Sequence, residues 1–216
     1  MGCCTPEGYR TIFTMRTAAR DARRYRRRGL SGTARWLAAQ LTADGVRDRS
    51  VLEIGGGVGA MQVELLRAGA TRATNVEIAD TYEPTAHELI AESGLDGRVE
   101  RIVADFAERP DAAAAADIVI LHRVICCHPD AVGLTQAACG HARDRVAITI
   151  PRTAWWIRLG VATMNRWLRL RRIPFAVYVH PPAQVVGLAH SLGFATTHHD
   201  RGMLWESVVL ERPQAA

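Results

Sequence analysis

The sequence predicts an α/β fold in which a mostly parallel sheet is covered by helices. Three observations carry this. Short apolar runs alternate with helical patterns between residues 51 and 150, the first run ends in a glycine-rich turn, and the chain closes on two strand-like runs joined at Arg201-Gly202. The 216 residues are 48% hydrophobic and 23% charged, which is enough apolar material for a full core and excludes a disordered or collagen-like chain. No run approaches the roughly 18 apolar residues that cross a bilayer. Met1 to Arg10 carry no basic-then-apolar leader. Five cysteines, an odd number, suit a reducing compartment better than a disulfide framework, so a cytoplasmic protein is expected.

Residues 1–50 read as helical. Tyr9, Ile12, Phe13 and Ala19 keep a helical spacing, the basic stretch 23–28 follows, and Gly29 closes the segment. Ser31 is placed to cap the next helix, whose apolar stripe is Ala34, Leu37, Ala38 and Leu41. Residues 51–54 form the first strand, 60–68 a helix closed by Gly69, 74–78 the second strand and 83–93 a second helix. Residues 99–103, 117–121 and 146–150 are the next strands, short apolar runs of the kind that lie in a buried parallel sheet. An arginine- and tryptophan-rich helix is expected over 153–172 and another over 183–192, followed by a hairpin of 194–199 and 204–210.

The strongest signal is Val51-Leu52-Glu53-Ile54-Gly55-Gly56-Gly57-Val58-Gly59, a strand running into a glycine turn and then a helix. Glycine permits tight backbone angles and lets a ligand approach the chain. Gly55, Gly57 and Ala60 also satisfy the dinucleotide pattern G-x-G-x-x-G/A, so the glycines alone do not choose a cofactor. Glu53 chooses. Beside a pyrophosphate it would repel, whereas beside a sulfonium and an ammonium it complements.

The pattern Glu53-x-Gly55-x-Gly57-x-Gly59 resembles the first motif of class I S-adenosylmethionine-dependent methyltransferases. The resemblance implies a Rossmann-like three-layer sandwich, with a seven-stranded mixed sheet whose last strand is antiparallel and a helical N-terminal lid. It implies a lid over residues 1–50 and a methyltransferase domain over 51–216, together a single structural domain. Glu77, with Ile78 beside it, would accept the ribose hydroxyls. Asp105 would accept the adenine amino group, with Phe106 against the ring, and His122 would contact the cofactor or the acceptor. Three acids at three successive strand ends are a more specific constellation than one glycine loop, because ligands of open α/β sheets bind at the carboxyl ends of the strands.

Within that class the layout is similar to magnesium-protoporphyrin O-methyltransferases and their small relatives. Those enzymes carry Ile-His-Tyr-Pro after the fourth strand. Here Cys126-Cys127-His128-Pro129 stands in its place, with Cys127 at the histidine position and His128 at the tyrosine position. The location of the acceptor pocket carries over; the porphyrin does not.

Methyl transfer is an in-line displacement in which the cofactor supplies reactivity and the protein supplies alignment. His128 and His122 are the candidate bases. Tyr9 and Tyr25 of the lid, Cys127, Trp155 and Arg158 are the candidate acceptor contacts. Metal binding by Cys3-Cys4 with Cys126-Cys127-His128 lacks any C-x-x-C spacing, so no metal is expected. The expected reaction is methylation of a small organic acceptor at oxygen. The alternatives are N- or S-methylation, an RNA-directed methyltransferase and an NAD-dependent oxidoreductase. All 27 basic residues are arginine and the net charge is +5, yet no aromatic-rich basic strand or appended RNA module is present, so no nucleic-acid partner is expected. Residues 154–172 read first as an acceptor lid, then as a helix making weak contact with a membrane surface, and otherwise as a face buried on the sheet edge or in a homodimer.

Overall fold

A computed structural model describes residues 5–213. Its strands are β1 (Ser50–Ile54), β2 (Arg72–Glu77), β3 (Val99–Val103), β4 (Ala116–His122), β5 (Ala142–Pro151), β6 (Ala195–Arg201) and β7 (Trp205–Glu211). They form one sheet in the order β3-β2-β1-β4-β5-β7-β6. β1 to β5 pair in parallel, and β7 runs antiparallel between β5 and β6. The chain leaves β1 for one side of the sheet and returns to β4 on the other. That strand-order reversal opens a crevice at the carboxyl ends of β1 and β4.

Eight α-helices cover the sheet among the described residues: α1 (Pro6–Ile12), α2 (Met15–Arg28), α3 (Gly32–Ala43), α4 (Ala60–Arg67), α5 (Glu83–Glu92), α6 (Ala131–His141), α7 (Trp155–Leu170) and α8 (Pro182–Ser191). Alternation along β1 divides the core, since neighbouring strand residues point to opposite faces. Val51 packs with Ile118, Ile120 and Ala147 beneath Ala18, Leu37, Leu66 and Leu89 of α2 to α5. Leu52 packs with Val119, Leu121 and Ile148 beneath Leu134 of α6 and Val185 of α8. This is the expected three-layer α/β sandwich.

Four local expectations need correction. The first predicted helix is two, because Thr14 caps a new start by accepting from the amide of Thr17, while the carbonyl of Phe13 is taken by the hydroxyl of Thr81. Phe13 is thereby turned against Tyr82 and Phe175. Ser31 occupies the N-cap of α3 but makes no capping bond; its hydroxyl accepts from Arg24 instead. Helix α6 has no counterpart in the expected elements; Asp130 caps it through the amide of Gly133 at 2.8 Å. On α7 only Ile157 and Leu168 are buried, and the Trp155, Leu159, Trp167 and Leu170 stripe faces outward.

Candidate active site

The crevice contains a cleft of about 320 Å³. Its floor is Glu53, Gly55–Gly57, Val58, Glu77 and Ile78; its roof includes Tyr9, Phe13, Asp21, Leu30 and Ala34 from α1 to α3 and the loop before α3. A smaller cavity adjoins it, lined by Asp105, Phe106 and His128 and sharing Tyr9, Gly55, Ile78, Val124 and Cys127 with the cleft.

Local sequence explains the floor. β1 must turn sharply into α4, and Gly57 adopts φ +57°, a left-handed conformation that side-chain-bearing residues avoid. Gly56 meets a different demand: a Cβ there would overlap the Asn75 amide and stand 2.5 Å from Glu53 Oε2. Glu77, at the end of β2, fixes the loop from the other side. Its Oε2 accepts from the amide of Gly57 at 2.9 Å and its Oε1 from the amide of Ala79 at 3.1 Å.

Beneath the loop lies a polar row. Glu53, Asn75 and Arg101 are in register across β1, β2 and β3. The Arg101 guanidinium, 1% exposed, pairs with Glu83 at 2.7 Å and donates to the carbonyl of Gly57 at 2.9 Å. Glu53 Oε2, Arg101 Nη1 and both amide atoms of Asn75 and Gln62 are buried with no hydrogen-bond partner. Burial lifts the Glu53 carboxyl to about 8, against the opposing pull of Arg101. Burial raises Glu77 as well, against its backbone donors.

This donor set suits S-adenosylmethionine better than a pyrophosphate cofactor. Asp21, Glu53 and Glu77 face the cleft against a single guanidinium, that of Arg123. A positive ammonium or sulfonium would lower the Glu53 carboxyl and relieve the cost of its burial; a phosphate would add to that cost. The adjoining cavity sets the carboxylate of Asp105 beside Phe106, as an adenine would require.

The predicted site residues therefore separate. Glu53, Gly55, Gly57, Glu77, Ile78, His122, Tyr9 and Cys127 line the cleft, and Asp105, Phe106 and His128 line its neighbour. Gly59 lies just outside, as the N-cap of α4. Tyr25 is turned away: its hydroxyl donates to Glu64 and accepts from Arg67 at 3.2 Å, which ties α2 to α4. Trp155 and Arg158 reach neither cavity; Trp155 is exposed, and Arg158 faces a groove along α7 with Asn165 and Val179. Cys3 and Cys4 lie outside the described residues, and no group of three His, Cys, Asp or Glu is arranged to hold a metal among the described ones.

The two histidines also differ. His122 Nε2 lies 2.9 Å from Thr33 Oγ1 of α3. Burial, with Arg123 adding to it, pushes the imidazole down to about 3, which makes it a weak base at neutral pH. His128 Nε2 lies 3.9 Å from Asp105 and its Nδ1 3.0 Å from the Asp130 carbonyl oxygen. Sequence reasoning missed Asp21, Tyr82, Arg123, Asn75 and Arg101. The available signal was faint, because Asn75 and Arg101 stand in strands that carry other polar residues, Thr74 and Glu100 beside them. Arg123 takes φ +61°, stacks 4.6 Å from the Trp205 ring centroid and donates to Thr33 at 3.2 Å.

Comparison with known proteins agrees with the fold. Residues 52–143 match the model of a family described as a methyltransferase domain. A 3-hydroxy-5-methyl-1-naphthoate 3-O-methyltransferase from Streptomyces sahachiroi is 34% identical over 93 residues, 43% of this chain and 26% of that protein. The chain thus spans about a quarter of the length of the curated relative it matches. Magnesium protoporphyrin IX methyltransferase from Synechocystis PCC 6803, solved with bound SAH, superposes with a TM-score of 0.68 at 19% identity, covering 94% of this chain and all of that one. An O-methyltransferase family protein from Burkholderia thailandensis gives 0.64 at 18% identity over 83% of this chain and 56% of its own.

Proposed function

We propose that this chain, whose core is a class I S-adenosylmethionine-dependent methyltransferase domain, transfers a methyl group to an oxygen of a small organic acceptor and leaves S-adenosylhomocysteine. When bound, S-adenosylmethionine supplies an activated sulfonium methyl group. Glu53, Gly55, Gly57 and Glu77 hold its polar groups, and Asp105 with Phe106 takes its adenine. Residues 1–50 act as the lid and 51–216 as the transferase domain. Tyr9, Phe13, Leu30 and Ala34 close an apolar chamber over the floor, which excludes water from the displacement.

The observation that carries the acceptor class is the weak basicity of the cleft. Its imidazole, His122, is held near 3, so it suits an acceptor already ionised at neutral pH, a carboxylate or an acidic phenol. Arg123, a cleft cation that pairs with no carboxylate among the described residues, balances that negative charge. His128, beside Asp105, is then a positioning group for the adenine end rather than the base. The naphthoate and O-methyltransferase relatives support oxygen as the acceptor atom. Free thiols at Cys126 and Cys139 suit the cytoplasm. Homodimerisation and lipid contact through residues 154–172 are separate proposals of partner, the second argued below.

The test is incubation with methyl-labelled cofactor and fractionated small-molecule extracts, followed by alkaline hydrolysis. Label in a methyl ester, released as methanol, or in an aryl ether fits this function. Label on nitrogen, sulfur or RNA overturns the oxygen assignment. Calorimetric binding of NAD(H) without binding of S-adenosylmethionine overturns the whole reading.

A further inference from the structure

We propose that α7 is an interfacial helix that seats the protein on an anionic lipid surface. Of its 16 residues only Ile157 and Leu168 are buried. Asn165 ties it to the following segment, donating to the carbonyl of Val177 at 2.8 Å and accepting from its amide at 2.9 Å. These contacts hold one face inward and commit the other to solvent. On that outer face Trp155 is 75% exposed, Leu159 60%, Trp167 50% and Leu170 73%. At 100° per residue these four and Trp156 fall within an arc of about 120°. Met203 and Leu204, also exposed, extend the apolar surface next to the start of the helix, where the amide of Arg152 bonds the carbonyl of Leu204.

Charge decides what covers this face. From residue 145 to 199 the sequence has seven arginines and no aspartate or glutamate. Arg158 and Arg169 border one edge of the apolar arc and Arg171 the other, while Arg166 falls inside it between Trp155 and Leu159, all exposed. Arg171 lies 5.4 Å from the Trp167 ring centroid. An apolar tryptophan-rich stripe between arginine borders is the composition of helices that lie in the plane of a bilayer, with arginine stems reaching up to anionic headgroups. A second copy packed on this face would set arginines against arginines, with no acid on the helix to relieve them. No helix of the described residues is long and apolar enough to cross a membrane, so the contact lies along the surface. Its functional sense is access: an amphipathic acceptor, with an apolar body in the membrane and an ionised oxygen at its surface, would be met at the lipid boundary.

The full chain is tested by co-sedimentation with vesicles of phosphatidylglycerol and phosphatidylcholine against phosphatidylcholine alone. Partitioning onto the anionic vesicles that weakens about tenfold in high salt is expected. Trp155→Ser with Leu159→Ser and Trp167→Ser should abolish it. Arg158→Gln with Arg166→Gln and Arg169→Gln should remove the preference for anionic lipid. Both triple variants should keep the far-ultraviolet circular dichroism and cofactor affinity of the parent, since none of these residues lines the cleft. No partitioning of the parent, equal partitioning of the serine variant, or a parent dimer that only the serine variant splits would each overturn the proposal. None of these results bears on whether the cleft transfers methyl groups.

Discussion

The guanidinium of Arg101 donates to the carbonyl oxygen of Gly57 across 2.9 Å, reaching from the third strand to the loop after the first. The same Gly57 gives its amide to Glu77. One residue of the loop is thus held through both of its flanking peptide groups by side chains of neighbouring strands, and the site's shape is set before any ligand arrives. That preorganisation lowers the entropic cost of binding.

Arg101→Met should therefore loosen the loop and leave Glu83 with only the exposed His87, 3.7 Å away, beside it. Breaking such a buried pair costs about 3 kcal/mol, which in a chain of this size lowers Tm by roughly 10 °C. Affinity for S-adenosylmethionine should fall at least about tenfold, because loop fixation is lost along with stability. Calorimetry and thermal unfolding check both. Unchanged affinity at reduced Tm would make Arg101 a structural residue only.

Gly56 and Gly57 should fail for different reasons. Gly57→Ala places a Cβ at φ +57° and 3.2 Å from the Tyr82 ring, at about 1–2 kcal/mol of backbone strain. Gly56→Ala drives a methyl group into the Asn75 amide and Glu53. The second should abolish cofactor binding, while the first weakens it about tenfold. Titration of the two variants, with unfolding curves to show that both fold, separates them.

The pH dependence follows from Glu53. Its carboxyl, normally near 4.5, is raised by burial to about 8. The native state therefore holds a proton that the unfolded chain gives up above 4.5. This contribution to the stability of the ligand-free protein is full below that value and declines as pH rises through about 8. Cofactor binding has the opposite sign, because a positive ligand favours the carboxylate. Affinity for S-adenosylmethionine should rise about tenfold per unit from roughly pH 6 to pH 8 and then level off. In Glu53→Gln both slopes should vanish.

Much of this was legible in the sequence because the strand signals were clean. β3 spans the predicted residues, β1, β4 and β5 extend their predicted runs, and β2, β6 and β7 are displaced at their ends by one or two residues, since buried parallel strands appear as short apolar runs. Glu53, the glycines and Glu77 were legible as a chemical pattern. Helix α6 was missed although Ala131, Leu134, Thr135, Ala138 and Cys139 keep the helical period; alanine, cysteine and threonine make a faint stripe. Tyr25 and Tyr9 are indistinguishable in sequence, two tyrosines on lid helices. Only packing sends one to Glu64 and the other to the cleft. The row of Glu53, Asn75 and Arg101 needs strand register, which no single strand carries.

Tyr9 offers the sharpest test of the lid. Its hydroxyl donates to the carbonyl of Cys127 at 2.6 Å, joining α1 to the turn after β4 across both cavities. Its ring meets Phe175 edge-on at 5.4 Å, a contact that Tyr9→Phe keeps. The substitution thus removes a latch and spares the packing. A neutral hydrogen bond is worth about 1 kcal/mol, so the closed lid should lose roughly fivefold in population. Cofactor dissociation should quicken by a similar factor, and amide exchange should rise in residues 6–12 and 126–128, while Tm moves by only about 2–3 °C. Stopped-flow displacement and hydrogen exchange read these two quantities independently. Faster exchange without faster release would mean that α1 covers the acceptor alone, and no change in either would show that the bond does not latch the lid.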